Sequence, residues 1–81
     1  MEDIFTTKHL TFSRLPLQLG RRTSQWSVWN HDYGEQLGEI SWYAPWRQYC
    51  FHSGPVVLSA GCLSDIAQMC NRLMEERLPN A

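Results

Sequence analysis

The chain has 81 residues, 43 % of them hydrophobic and 12 % aromatic, which suffices for a single small domain spanning 1–81 and exceeds what disordered chains carry. Seven Lys and Arg against eight Asp and Glu leave a net charge of −1. That balance excludes the strong basic excess of a dedicated nucleic-acid binder and the acidic excess of a nucleic-acid mimic. Three cysteines, no apolar leader after Met1 and no run near the ~20 apolar residues of a membrane span lead us to expect a cytoplasmic protein with free thiols and no membrane partner.

Residues 6–15 form the first expected strand, with Leu10 and Phe12 alternating against Thr11 and Ser13. Pro16 and Gly20 make 15–22 a loop, whose Leu15, Leu17 and Leu19 are available to fold back on a core. Residues 23–30 form a second strand, alternating Trp26 and Val28 against Ser27 and Trp29. A turn over 30–34 follows, where Asn, Asp and Gly tolerate positive φ. Strands over 37–43 and 46–52 flank Ala44-Pro45, a hairpin turn, and 53–55 closes the sheet region. Val56-Val57-Leu58 is an edge strand or a covering loop. Ser59 is an N-cap, and from Cys62 to Arg77 a stripe of Leu63, Ile66, Ala67, Cys70, Leu73 and Met74 marks a helix that Pro79 ends. The expected fold is α+β: an antiparallel sheet of three or four strands with one C-terminal helix packed on one face.

A two-residue turn at Ala44-Pro45 pairs Tyr43 with Trp46, Trp42 with Arg47, Ile40 with Tyr49 and Gly38 with Phe51. The preceding hairpin pairs Val28 with Gly38 and Trp26 with Ile40. Side chains alternate with period two, and the two registers agree on one apolar face: Trp26, Val28, Ile40, Trp42, Tyr49 and Phe51. Ile40, Tyr49 and Phe51 should form the core with Leu63, Ile66 and Cys70 of the helix. The opposite face holds Ser27, Trp29, Leu37, Glu39, Ser41, Tyr43, Trp46, Gln48 and Cys50. Either the N-terminal strand or the loop after it covers those aromatics, or they form a binding or dimerisation surface. On the second reading the partner-binding residues are Trp29, Tyr43, Trp46, Arg47 and Gln48.

Other constellations have simpler explanations. Cys50-x-His52 with Cys62 and Cys70 lacks the paired knuckles of a zinc site, and Cys70 lies on the apolar helix stripe, so no metal is expected. Cys50 or Cys62 with His9, His31 or His52 would make a nucleophilic site, but no local signature surrounds either cysteine and no catalytic residue is assigned. Asp32, Glu35 and Glu39 sit in and after a turn, where carboxylates are ordinarily solvated. The five glycines match no phosphate-binding loop, and no cofactor is implied. Arg21, Arg22 and Arg47 beside Trp46 offer charge and stacking to a single strand of nucleic acid, but without a basic groove this partner ranks behind protein.

The run Leu37-Gly-Glu-Ile-Ser-Trp-Tyr-Ala-Pro-Trp-Arg-Gln-Tyr-Cys-Phe51, followed by Cys62-Leu-Ser-Asp-Ile-Ala67, resembles small proteins encoded by bacteriophages and prophages. Those carry a G-E-I-x-W-[aromatic]-x-P-W-R-x-Y-x-F core and a C-L-x-D-I-A helix. The likeness spans Leu37 to about Leu73, roughly half the chain. It implies a phage setting and no activity. Accessory proteins of this size often bind host or phage machinery, and some block host defence, including CRISPR systems. The expected function is therefore non-enzymatic binding of a host or phage protein, with a homodimer as a further option and a small nucleic-acid-binding module as the alternative.

Overall fold

A computed structural model describes residues 3–17, 20, 22–31 and 34–77. Five strands run in chain order, β1 (Ile4–Thr6), β2 (Leu10–Arg14), β3 (Trp26–Asn30), β4 (Gln36–Tyr43) and β5 (Gln48–Ser53), and helix α1 (Ala60–Arg77) follows. Each strand pairs antiparallel with its neighbours in sequence, giving a meander. The architecture is α+β, but the sheet has five strands, not three or four.

The additional strand arises because the N-terminal segment folds into a hairpin. Thr7 makes the break: its Oγ1 accepts the backbone N–H of Leu10 at 3.0 Å and of His9 at 3.3 Å, and its own N–H donates to the Leu10 carbonyl at 2.8 Å. A threonine hydroxyl here does the work usually signalled by Gly, Asn or Pro.

The β3–β4 register is as expected, with Trp26 opposite Ile40 and Val28 opposite Gly38. Beyond Val28 the pairing shifts, so that Trp29 meets Gln36 and Leu37 becomes the extra residue of a bulge. The bulge reverses the alternation locally, and Leu37, expected on the opposite face, joins the core at 3 % exposure.

The β4–β5 register is displaced by two residues from the expected one. Ile40 lies opposite Phe51, Trp42 opposite Tyr49 and Tyr43 opposite Gln48. The turn is Ala44 to Arg47, not Ala44-Pro45 alone: Arg47 donates its N–H to the Tyr43 carbonyl at 2.9 Å and adopts φ 54° to re-enter the ladder. A shift of two keeps every side chain on its face, so the apolar face survives the correction. Trp46 and Arg47 leave their strand for the turn, and Trp42 packs edge-on against Tyr49, centroids 5.5 Å apart, in place of facing Arg47.

The helix-facing side of the sheet is the core. Leu10, Phe12, Trp26, Val28 and Ile40 are at most 2 % exposed, and α1 covers them with Ile66, Met69 and Leu73. Ser59 caps the helix as expected, its Oγ accepting the Cys62 N–H at 3.2 Å. The buried stripe is Ile66, Met69 and Leu73, with Cys62 half-buried beside it, and it is turned round the helix from the expected one. Leu63 is 51 % exposed and Ala67 is exposed, while Cys70 and Met74 sit half-buried at its border. The sequence carries two adjacent apolar stripes, and periodicity alone does not choose between them. Phe51 is half-buried, not fully core. Residues 56–58 form a loop that turns Val56 and Leu58 inward and leaves Val57 exposed. Leu15 is half-buried and Leu17 exposed, while Gln18, Leu19, Arg21, Asp32, Tyr33 and Pro79 lie outside the described residues.

Candidate interaction face

No described element packs on the other face of the sheet. β1 and β2 extend this face sideways and do not cover it. One row crosses all five strands, Ile4, Ser13, Ser27, Glu39 and His52, each opposite the next. Small serines and threonines dominate, and Glu39 is the one acidic or basic side chain that the described strands place here apart from the histidine. Depletion of charge is a property of interface centres, whereas solvated sheet faces usually carry many charges.

The large side chains gather at the β4–β5 end. Tyr43 and Trp46 pack edge-to-face, centroids 5.1 Å apart and planes at 86°. Trp46 is 66 % exposed and Tyr43 37 %. The ring of His52, two residues along from Cys50 on the same face, lies 6.1 Å from Tyr43. Trp46, Tyr43 and His52 thus make one aromatic row, and with Cys50 and Phe51 they line a shallow open hollow. Gln48 is exposed opposite Tyr43, and Arg47 is exposed at the turn.

Tyr43, Trp46, Arg47 and Gln48 therefore come together, and Trp29 does not join them. It pairs with Gln36, seven positions down β4 from Tyr43, about 23 Å away at strand rise. Trp29 is half-buried and donates its indole N–H to Ser27 Oγ at 2.9 Å, while Ser27 Oγ donates to the Ser13 carbonyl at 3.2 Å. Nearby, Thr11 Oγ1 and His31 Nδ1 are 3.1 Å apart. His52 joins this row although the turn sequence does not mark it; its place follows from period-two alternation after Gln48 and Cys50.

Among the described residues, no cluster of three His, Cys, Asp or Glu side chains is arranged to hold a metal, and Cys50, Cys62 and Cys70 are free thiols. Burial, with a smaller contribution from Cys50, pushes the Cys70 thiol up to about 11, so it is protonated and unreactive at neutral pH. No described helix is long and apolar enough to cross a membrane.

A meander backed by one helix, with an aromatic row on its open face, defines a small α+β protein. No family model and no solved structure matches the chain. It is 38 % identical over 76 residues to the "Uncharacterized 9.3 kDa protein" of Acholeplasma phage L2, a match covering 93 % of this chain and 96 % of that relative. The chain belongs to this family of small phage-encoded proteins.

Proposed function

We propose that the protein is a non-enzymatic accessory protein of a phage that binds a host protein through the open sheet face, and that it inhibits the host complex it binds, a defence complex of the CRISPR type being one candidate. The observation that carries the reading is the exposed Tyr43–Trp46 pair on a face almost free of charge. Rigid aromatic side chains in a dry, weakly polar surround are the usual anchors of protein interfaces. Arg47 supports the same reading. It holds φ 54°, a conformation that glycine adopts without penalty and that costs other residues roughly 1–2 kcal/mol. An arginine kept there beside Trp46 is explained if its side chain serves a partner. Within the family, we take the G-E-I-x-W-x-x-P-W-R-x-Y-x-F hairpin and the C-L-x-D-I-A helix as the signature.

Host proteins captured from lysate by the tagged chain should be lost with Trp46→Ala. A buried Trp anchor carries roughly 2–4 kcal/mol, which corresponds to ~30-fold or more in affinity. Circular dichroism should be unchanged, because Trp46 contributes little to the core. Unaltered capture by a folded Trp46→Ala variant would refute the assignment. If instead the captured material is nucleic acid and its binding falls steeply with salt, the rival module applies.

A further inference from the structure

The two edges of the sheet are finished differently. At the β5 edge, the helix lies alongside and Met74 Sδ accepts the Tyr49 N–H at 3.4 Å. At the β1 edge, backbone bonds to β2 run from Arg14 N–H to the Asp3 carbonyl at 2.7 Å and from Thr7 N–H to the Leu10 carbonyl at 2.8 Å. These bonds fix the phase of the ladder. Asp3, Phe5 and Thr7 face β2, so the N–H and C=O groups of Ile4 and Thr6 point outward. Ile4-Phe5-Thr6 is strongly β-forming and carries no proline or charge within the strand, the devices that normally blunt an edge.

Beside this edge lies an open groove of about 530 Å³, walled by Phe5, Thr6 and Thr7 on one side and by the helix on the other. The helix wall is the flank Asp65, Gln68, Arg72 and Glu75, spaced i, i+3, i+7 and i+10, with Met69 at its foot. Arg72 is already engaged, its Nε 3.3 Å from Glu76 and its guanidinium 4.3 Å from the centre of the Phe5 ring. The two carboxylates, Asp65 and Glu75, stand at either end. At about 1.5 Å per helical residue they are roughly 15 Å apart, the length of about four or five residues of strand.

We propose that the β1 edge is a strand-addition site for a short extended segment of a partner protein with basic side chains facing α1. Main-chain pairing to Ile4 and Thr6 supplies the register. Asp65 and Glu75 select Lys or Arg four positions apart on the segment, and Phe5 and Met69 receive the apolar side chain between them. The site is separate from the aromatic row and does not depend on it.

The test uses the intact ¹⁵N-labelled chain and the blocked peptide Lys-Thr-Val-Thr-Lys, in which both Lys and the Val share one face. At millimolar peptide, the Ile4 and Thr6 amides should shift and their hydrogen exchange should slow. N-methylation of one alternate set of peptide amides should abolish the shifts, and methylation of the other set should leave them. The Glu-flanked counterpart should bind more weakly to the native chain and more tightly to the Asp65→Lys, Glu75→Lys variant. Shifts centred on Tyr43 and Trp46, or no shifts at all, would overturn the proposal. So would exchange protection of Ile4 and Thr6 that grows with protein concentration without peptide, since a second copy would then occupy the edge.

Discussion

Trp26 and Trp29 stand three residues apart on β3 and face opposite ways. Each donates its indole N–H to a serine two residues earlier, Trp26 to Ser24 at 3.1 Å and Trp29 to Ser27 at 2.9 Å. The polar requirement of the two rings is met identically, within the local chain. What differs is what surrounds them. Trp26 is 2 % exposed, with Phe5 5.5 Å from it and the Arg14 guanidinium 6.0 Å from its ring centre. Trp29 is half-buried among small polar groups. A tryptophan satisfied by its own strand can therefore serve on either face, and packing alone decides whether it builds the fold or decorates it.

The largest expected effect tests that contrast directly. Trp26→Ala should cost about 3–5 kcal/mol, enough to consume much of a small domain's stability, whereas Trp29→Ala should cost about 1 kcal/mol or less. Urea titration of the two variants measures the difference, and equal losses would mean that the open face is covered after all. Next is Gly38→Ala. A Cβ there would strike the His52 carbonyl and come within 2.8 Å of Phe51 Cζ, and the carbonyl, being backbone, does not yield as a side chain would. A loss near the upper end of about 1–3 kcal/mol in the same titration is expected.

A smaller effect comes from Cys70. Its folded pKa is raised to about 11 from 9.0, first by burial and then by Cys50. The folded chain holds the thiol proton more tightly than the unfolded chain does, so this contribution is complete below pH 9 and is lost as pH rises towards 11. Melting temperatures recorded across that window should fall more steeply for the native chain than for Cys70→Ala. Smallest is Arg47→Gly, which relieves the positive φ and should leave stability unchanged or raise it by up to about 1 kcal/mol. The same variant should weaken partner capture. A stability gain with undiminished capture would leave the arginine unexplained.

The alternation of the strands was legible because Trp26, Val28 and Ile40 are large and their neighbours Ser27 and Glu39 are polar. The β4–β5 register was not, because Ala44-Pro45 resembles a complete turn, while the true turn also takes in Trp46 and Arg47, whose backbone gives no sequence signal of positive φ. The faces survived since the error was even. Leu37 did not survive, because a bulge is an error of one. On the helix, Met69 displaced Leu63: two apolar stripes lay side by side, and contact with the sheet chose between them. In the candidate site, the Tyr43–Trp46 pair was legible from the turn sequence. His52 and the β1 edge were not, since one depends on a ring contact across the sheet and the other on a hairpin built by a threonine hydroxyl.

The meander order has a kinetic consequence. Every strand pairs only with its neighbours in sequence, and the helix comes last. No strand must wait for a distant partner, so the loops that folding must close are short and the entropy lost in closing them is small. Nucleation at the β3–β4–β5 hairpins can be followed by β2 and β1 zipping on one after the other, with α1 docking to lock the assembled face. Such a chain should refold faster than a Greek-key or barrel domain of equal size, on the order of milliseconds, leaving unpaired strands little time to find one another in a crowded cell.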